Sequence, residues 1–177
     1  MRQEYILGKY IEDFSNLHTN KRLGVIAPHK PILLLSIIDL IERKIISDNK
    51  VYLTNDLERT FKYLWTKYVG KSVLFNPDIS KPFWHLNNEP FWHLKGIGRD
   101  GYEWLVSSKS PYSVKSLRKF CYAEFDRDLY DLLQNESIRA HLRVILISKY
   151  LNSTHFSKTN IIKSVLPLSI GILMHVA

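Results

Sequence analysis

Apolar residues return at helical spacing in the first part of the chain. Tyr5, Ile6, Tyr10, Ile11 and Phe14 share one side of a helix over residues 2–17. A polar, basic stretch follows at 18–24, carrying Asn20, Lys21 and Arg22, and it predicts a loop. Residues 31–44 are apolar nearly all round, which predicts the central buried helix; Asp39 and Glu42-Arg43-Lys44 mark its wetter side and its end. A turn at 47–50 leads into a short strand at 51–53. Thr54 or Asn55, with Glu58 behind it, then looks like the cap of a helix through about Tyr68, ended by Gly70. Its apolar face is Phe61, Leu64, Trp65 and Tyr68.

The next stretch says the same thing twice. Pro82-Phe83-Trp84-His85-Leu86 is followed, after Asn87-Asn88-Glu89, by Pro90-Phe91-Trp92-His93-Leu94. Proline is accepted at the first residue of a strand, and Asn tolerates the left-handed backbone of a turn. The repeat therefore predicts an aromatic hairpin, with strands at 83–86 and 91–95. Tyr102 to Val106 alternates and predicts a third strand after a glycine-rich turn at 96–101. Beyond a polar linker, Ser113 starts a basic helix in which Lys115, Arg118 and Lys119 share a side. A short helix at 126–134 and a last clear helix at 135–150 complete the pattern, which is lost beyond Ser153. The fold class expected is α+β: a helix-rich single domain with a small antiparallel sheet. The order helix, short strand, helix, hairpin also gives it winged-helix-like character.

Composition narrows the partners. The chain has 177 residues and a formal charge of +8, which favours a polyanion through attraction and counterion release. The single cysteine, Cys121, supports neither a disulfide framework nor a thiolate zinc site and suits a reducing cytoplasm. No signal-peptide core opens the sequence, and Pro167 and Gly171 interrupt the short apolar run at 165–177, so no membrane attachment is expected. The glycines at 96, 98 and 101 precede no Lys-Ser/Thr, which excludes a nucleotide phosphate loop of that kind.

A second motif answers the aromatic repeat. In Ala27-Pro28-His29-Lys30-Pro31, two prolines fix the backbone around a His-Lys pair at a helix start. With this block at 27–46, the sequences FKYLW at 61–65, PFWHLNNEPFWHL at 82–94 and CYAEFDRDLYDLL at 121–133 complete a set. Together they resemble the DNA sulfur-binding domain of McrA-type HNH restriction endonucleases, which recognises DNA with a phosphorothioate in its backbone. The resemblance covers residues 1–155 and leaves 156–177 as an irregular tail. It implies a sulfur cavity at the junction ahead of the first PFW, carried here by Lys81, Pro82 and His85, assisted by His29 and Lys30, with Arg118 the loosely aligned match to a further arginine. Lys81 stands where an aromatic residue would extend the apolar wall, a departure that bears on the shape of the cavity.

The chemistry asks for the same parts. Sulfur is larger and less strongly hydrated than oxygen, so a site that prefers it needs an apolar cavity for sulfur and donors for the remaining anionic oxygen. Pro82 is the expected floor of that cavity, with Lys81 and His85 at its rim. Lys21, Arg22, Lys115 and Lys119 are expected along the DNA backbone, and Asn87 and Asn88 toward a groove. The expected partner is double-stranded, phosphorothioated DNA, bound without a cofactor or metal. The tail residues His155, Asn160 and His175 show no HNH arrangement, so the chain is expected to be a reader without the cutter. Two rivals stand beside this: a metal-dependent nuclease built on His29, His85 and His93, and a protein-interaction module docking through the aromatic hairpin.

Overall fold

A computed structural model describes residues 2–108 and 113–152. Along them run α1 (Arg2–Ser15), β1 (Lys21–Arg22), β2 (Val25–Ile26), α2 (His29–Glu42), β3 (Lys50–Val51), α3 (Asn55–Tyr68) and α4 (Ser80–His85). A 3₁₀ turn (Leu86–Asn88) leads to β4 (Trp92–Gly96), α5 (Gly98–Ser107), α6 (Val114–Phe120), β5 (Cys121–Phe125), α7 (Arg127–Leu132) and α8 (Glu136–Tyr150). The expected helix-rich α+β class is the class observed. Among the described residues no helix is long and apolar enough to cross a membrane.

The centre is α2, as its apolar run dictates. Every residue from Lys30 to Ile41 except Asp39 is buried, and the helix packs against α3, α8 and α4. Pro28 and Pro31 cost it nothing, because the first turn has no intrahelical use for their missing N–H groups. The backbone of Ile32 donates to Pro28 O at 3.0 Å and closes that turn. Thr54 caps α3 by accepting from Leu57 N at 3.2 Å. Gly70, at φ +64°, ends the same helix in the left-handed region that glycine supplies without strain.

The sheet differs from the one the sequence predicts. Its order is β3-β5-β4, antiparallel throughout, with Val51 opposite Ala123 and Leu94 opposite Ala123 on the other side. Its central strand, β5, is one the sequence reading left unassigned. Cys121, Ala123 and Phe125 point into the core, and Tyr122 and Glu124 lie half-buried between them. Burial pushes the Cys121 thiol up to about 12, so it stays a protonated core side chain. The expected strand at 102–106 lies instead within α5, where Tyr102 and Val106, four apart, share an exposed side.

The aromatic hairpin is not formed either, and with it goes the expected wing. The first copy of the repeat is helical and the second is strand β4. In the first, Phe83 and Leu86 are buried three apart; in the second, buried Trp92 precedes exposed His93. The copies pack on each other. The rings of Phe83 and Trp92 meet edge-on at 5.5 Å, and the Trp92 indole N–H donates to Phe83 O at 3.1 Å. The expected loop at 18–24 is also shaped: β1 and β2 pair as a two-residue hairpin. Leu23 and Gly24 sit at φ +51° and +78°, the signs a type I′ turn requires. The tail at 156–177, including His175, lies outside the described residues.

Candidate nucleic-acid interface

An open cleft of about 560 Å³ lies where the β1–β2 hairpin, the start of α2 and the start of α4 converge. Each element brings its residues for a local reason. The hairpin carries Lys21 and Arg22 and is fastened by Arg22, whose guanidinium donates to Leu74 O at 2.9 Å. The proline-fixed start of α2 supplies His29 and Lys30, and α4 supplies Lys81, Pro82 and His85 from successive turns of one side. Asn88 reaches the cleft from the 3₁₀ turn, and Phe75 from the loop ahead of α4. Exposed Lys21, Arg22, Lys81 and His85 form the rim; buried Lys30 and Pro82 form the floor.

Most of the residues singled out in the sequence thus meet in one place, although the aromatic hairpin expected to carry Pro82, His85 and Asn88 is absent. Lys21, Arg22, His29, Lys30, Lys81, Pro82, His85 and Asn88 all line the cleft. Asn87 does not: its side-chain oxygen accepts from Leu94 N at 2.8 Å and ties the 3₁₀ turn to β4. Arg118, Lys115 and Lys119 sit on α6, outside the cleft lining. Arg118 donates to Leu53 O at 2.8 Å and pairs with Glu58 at 3.1 Å, so it joins α6 to the start of α3. The arginine that lines the cleft is Arg22.

His29 plays a less polar part than a bare His-Lys motif suggests. Its ring packs against Trp65 at 4.9 Å and edge-on to Phe75 at 5.8 Å. Its Nε2 lies 2.8 Å from Asn76 O, an acceptor, so Nε2 carries the proton and Nδ1 is the bare nitrogen. Burial lowers its pKa, and the Lys81 cation lowers it further against the opposing effect of the Asn76 hydrogen bond. At neutral pH His29 is therefore an uncharged ring that extends the apolar wall of Phe75 and Pro82. Desolvation, then the Lys30 and Lys81 cations, likewise lowers the pKa of His85.

A pH dependence follows with a definite sign. The folded-state pKa of His29 is depressed, so its stabilising contribution is present above the unfolded value of about 6.5. It is lost as pH falls through the folded value, because the unfolded chain then binds the extra proton. In urea titrations between pH 7.5 and 5, the midpoint should drop with acidity, and His29→Gln should flatten that drop. His85 adds a slope of the same sign. An unchanged slope in His29→Gln would assign the effect elsewhere.

Beneath the floor lies a residue with no warning in the sequence. Glu89 has a side chain only 2% exposed and forms an ion pair with Lys30, itself 8% exposed. Glu89 also accepts from the backbone N–H of His18 at 3.1 Å and sits 3.1 Å from its Nδ1. The charge of Lys30 is thus matched from below. Glu89 and Lys30 are 59 positions apart, and neither periodicity nor motif joins them. Phe75 was missed for a similar reason: it lies in an irregular loop beside Asn76-Pro77, where no pattern marks it.

The three-histidine arrangement does not assemble. His93 is on β4, bonded to Asp126 at 3.0 Å, and Tyr10 holds the other carboxylate oxygen of Asp126 at 2.9 Å. Among the described residues no cluster of three or more His, Cys, Asp or Glu side chains has a metal-holding arrangement.

No curated protein matches the chain. A family model described as "ScoMcrA-like, DNA sulfur-binding domain" matches residues 8–165, a span that includes every residue of the cleft.

Proposed function

The chain belongs to the ScoMcrA-like DNA sulfur-binding domain family, and we propose that its cleft reads a single phosphorothioate in the backbone of duplex DNA. The observation that carries this is the split chemistry of the cleft. Pro82, Phe75 and the uncharged His29 ring offer an apolar wall, while Lys21, Arg22 and Lys81 line the exposed rim. Sulfur lies against the wall, where an oxygen would lose more hydration. The remaining anionic oxygen and the flanking phosphates face the rim cations, which set affinity and register without reading bases. Sequence preference is then modest, and polar side chains of the cleft lining such as Asn20 and Asn88 add to it. The domain serves as the recognition module of a modification-dependent restriction system.

Two duplexes of identical sequence test this, one carrying a single phosphorothioate of defined stereochemistry and one unmodified. At physiological salt the modified duplex should bind at least about 100-fold more tightly, roughly 2.7 kcal/mol. Pro82→Ala should erase about tenfold of that preference while changing ordinary binding less. Equal affinities for the two duplexes in the wild-type protein would remove the sulfur assignment. Equal losses on both in Pro82→Ala would remove Pro82 from the cavity.

A further inference from the structure

We infer that Glu89 is a specificity-determining residue that acts through Lys30, holding down the affinity of the cleft for ordinary DNA. The inference rests on the proposed reading of the cleft as a backbone site. A phosphodiester and a phosphorothioate carry the same charge. An uncompensated cation in the floor therefore attracts both, and it favours the oxygen form, whose charge is the more concentrated. Ordinary phosphates greatly outnumber modified ones, so such a cation would fill the cleft with unmodified backbone.

The structure places a buried carboxylate where it prevents this. Glu89 lies under the floor, does not line the cleft, and pairs with the one buried lysine that does. The pair is neutral, so the floor presents Lys30 as a hydrogen-bond donor with little net charge. The same carboxylate holds the backbone and ring of His18, and so fixes the segment leading into the β1–β2 hairpin against α2. Asp78, 3.9 Å from Lys81, is too exposed and too distant to do the same at the rim. Discrimination thus comes from withholding charge at the floor, while generic attraction is left to the rim.

Glu89→Gln keeps an acceptor for His18 and removes the charge. In the full chain it should bind the ordinary duplex about five- to tenfold more tightly, and the slope of log affinity against log salt should steepen by about 0.9, one further phosphate contact. The preference for the phosphorothioate duplex should fall by a similar factor. The double variant Lys30→Met/Glu89→Gln, again neutral at the floor, should return the salt slope to its wild-type value, with affinity for both duplexes lowered by the loss of the Lys30 donor. A folded Glu89→Gln protein with unchanged or weaker ordinary binding and an unchanged slope overturns the inference. If Glu89→Gln does not fold, the double variant decides: a slope shallower by about one would show that Lys30 acts as a free cation, against the inference. A wild type that shows no sulfur preference defeats the proposed function alone, because the ordinary-duplex arm still tests Glu89. A wild type and Glu89→Gln that both fail to bind either duplex defeat both.

Discussion

Lys30→Met should destabilise the protein by about 3–5 kcal/mol, the range for breaking a buried ion pair by removing one partner. The substituted side chain still fills the space, so the loss is electrostatic. Glu89 is left 2% exposed with only His18 to donate to it. The reciprocal change, Glu89→Gln, should cost less, because Lys30 lines an open cleft and its ammonium can be hydrated from there. Urea unfolding of Lys30→Met, Glu89→Gln and the double variant measures both the loss and the asymmetry. The double variant should recover most of what Lys30→Met loses. A Lys30→Met loss under about 1 kcal/mol would show that the pair is effectively solvated, as exposed pairs are.

Gly101→Ala should have a large effect away from the cleft. A Cβ built at Gly101 meets Phe120 O at 2.3 Å and the backbone of Gly96 at 3.0 and 3.1 Å. These are backbone atoms of β4 and of the residue leading into β5, which the ladder holds in place, so α5 itself must move. The cost should reach about 3 kcal/mol, near the top of the usual overpacking range. That lowers the melting temperature by about 6–12 °C for a domain of this size. Gly8→Ala is the control: nothing lies within 4 Å of its added Cβ, and it sits inside α1. It should stabilise by about 0.5–1 kcal/mol. A Gly101→Ala protein that melts with the wild type would mean that the contact between α5 and the sheet is loose.

What could be read from the sequence was what local chemistry decides. The apolar run of α2, bounded by its prolines, admits little but a buried helix. Thr54 and Gly70 mark the ends of α3 by hydrogen bonding and by backbone freedom. The PFWHL repeat shows where such reading stops. Proline is as welcome in the first turn of a helix as at the start of a strand. The same five residues take either form according to what they pack on, and Trp92 meeting Phe83 is a contact between the copies that neither copy contains alone. Strand β5 did carry a local signal, since Cys121, Ala123 and Phe125 alternate with Tyr122 and Glu124, but it is short and sits directly between two helical patterns, the basic helix from Ser113 and the helix at 126–134. The cleft residues near the two proline motifs were legible because proline constrains their backbone directly. Glu89 was not, because a buried carboxylate is identified only by the partner that neutralises it, and Lys30 comes from a distant part of the chain.

The sheet's strand order has a consequence for how the domain is made. Strand β4 begins three residues after Glu89, and among the described residues both it and β3 pair only with β5. As the chain leaves the ribosome, every residue lining the cleft emerges well before the central strand of the sheet. The nascent domain must therefore wait with an unpaired β4, although Glu89 already has both of its partners, Lys30 and His18, on the chain. The sheet closes late, when residues 121–125 take the central place and give β3 and β4 their partner.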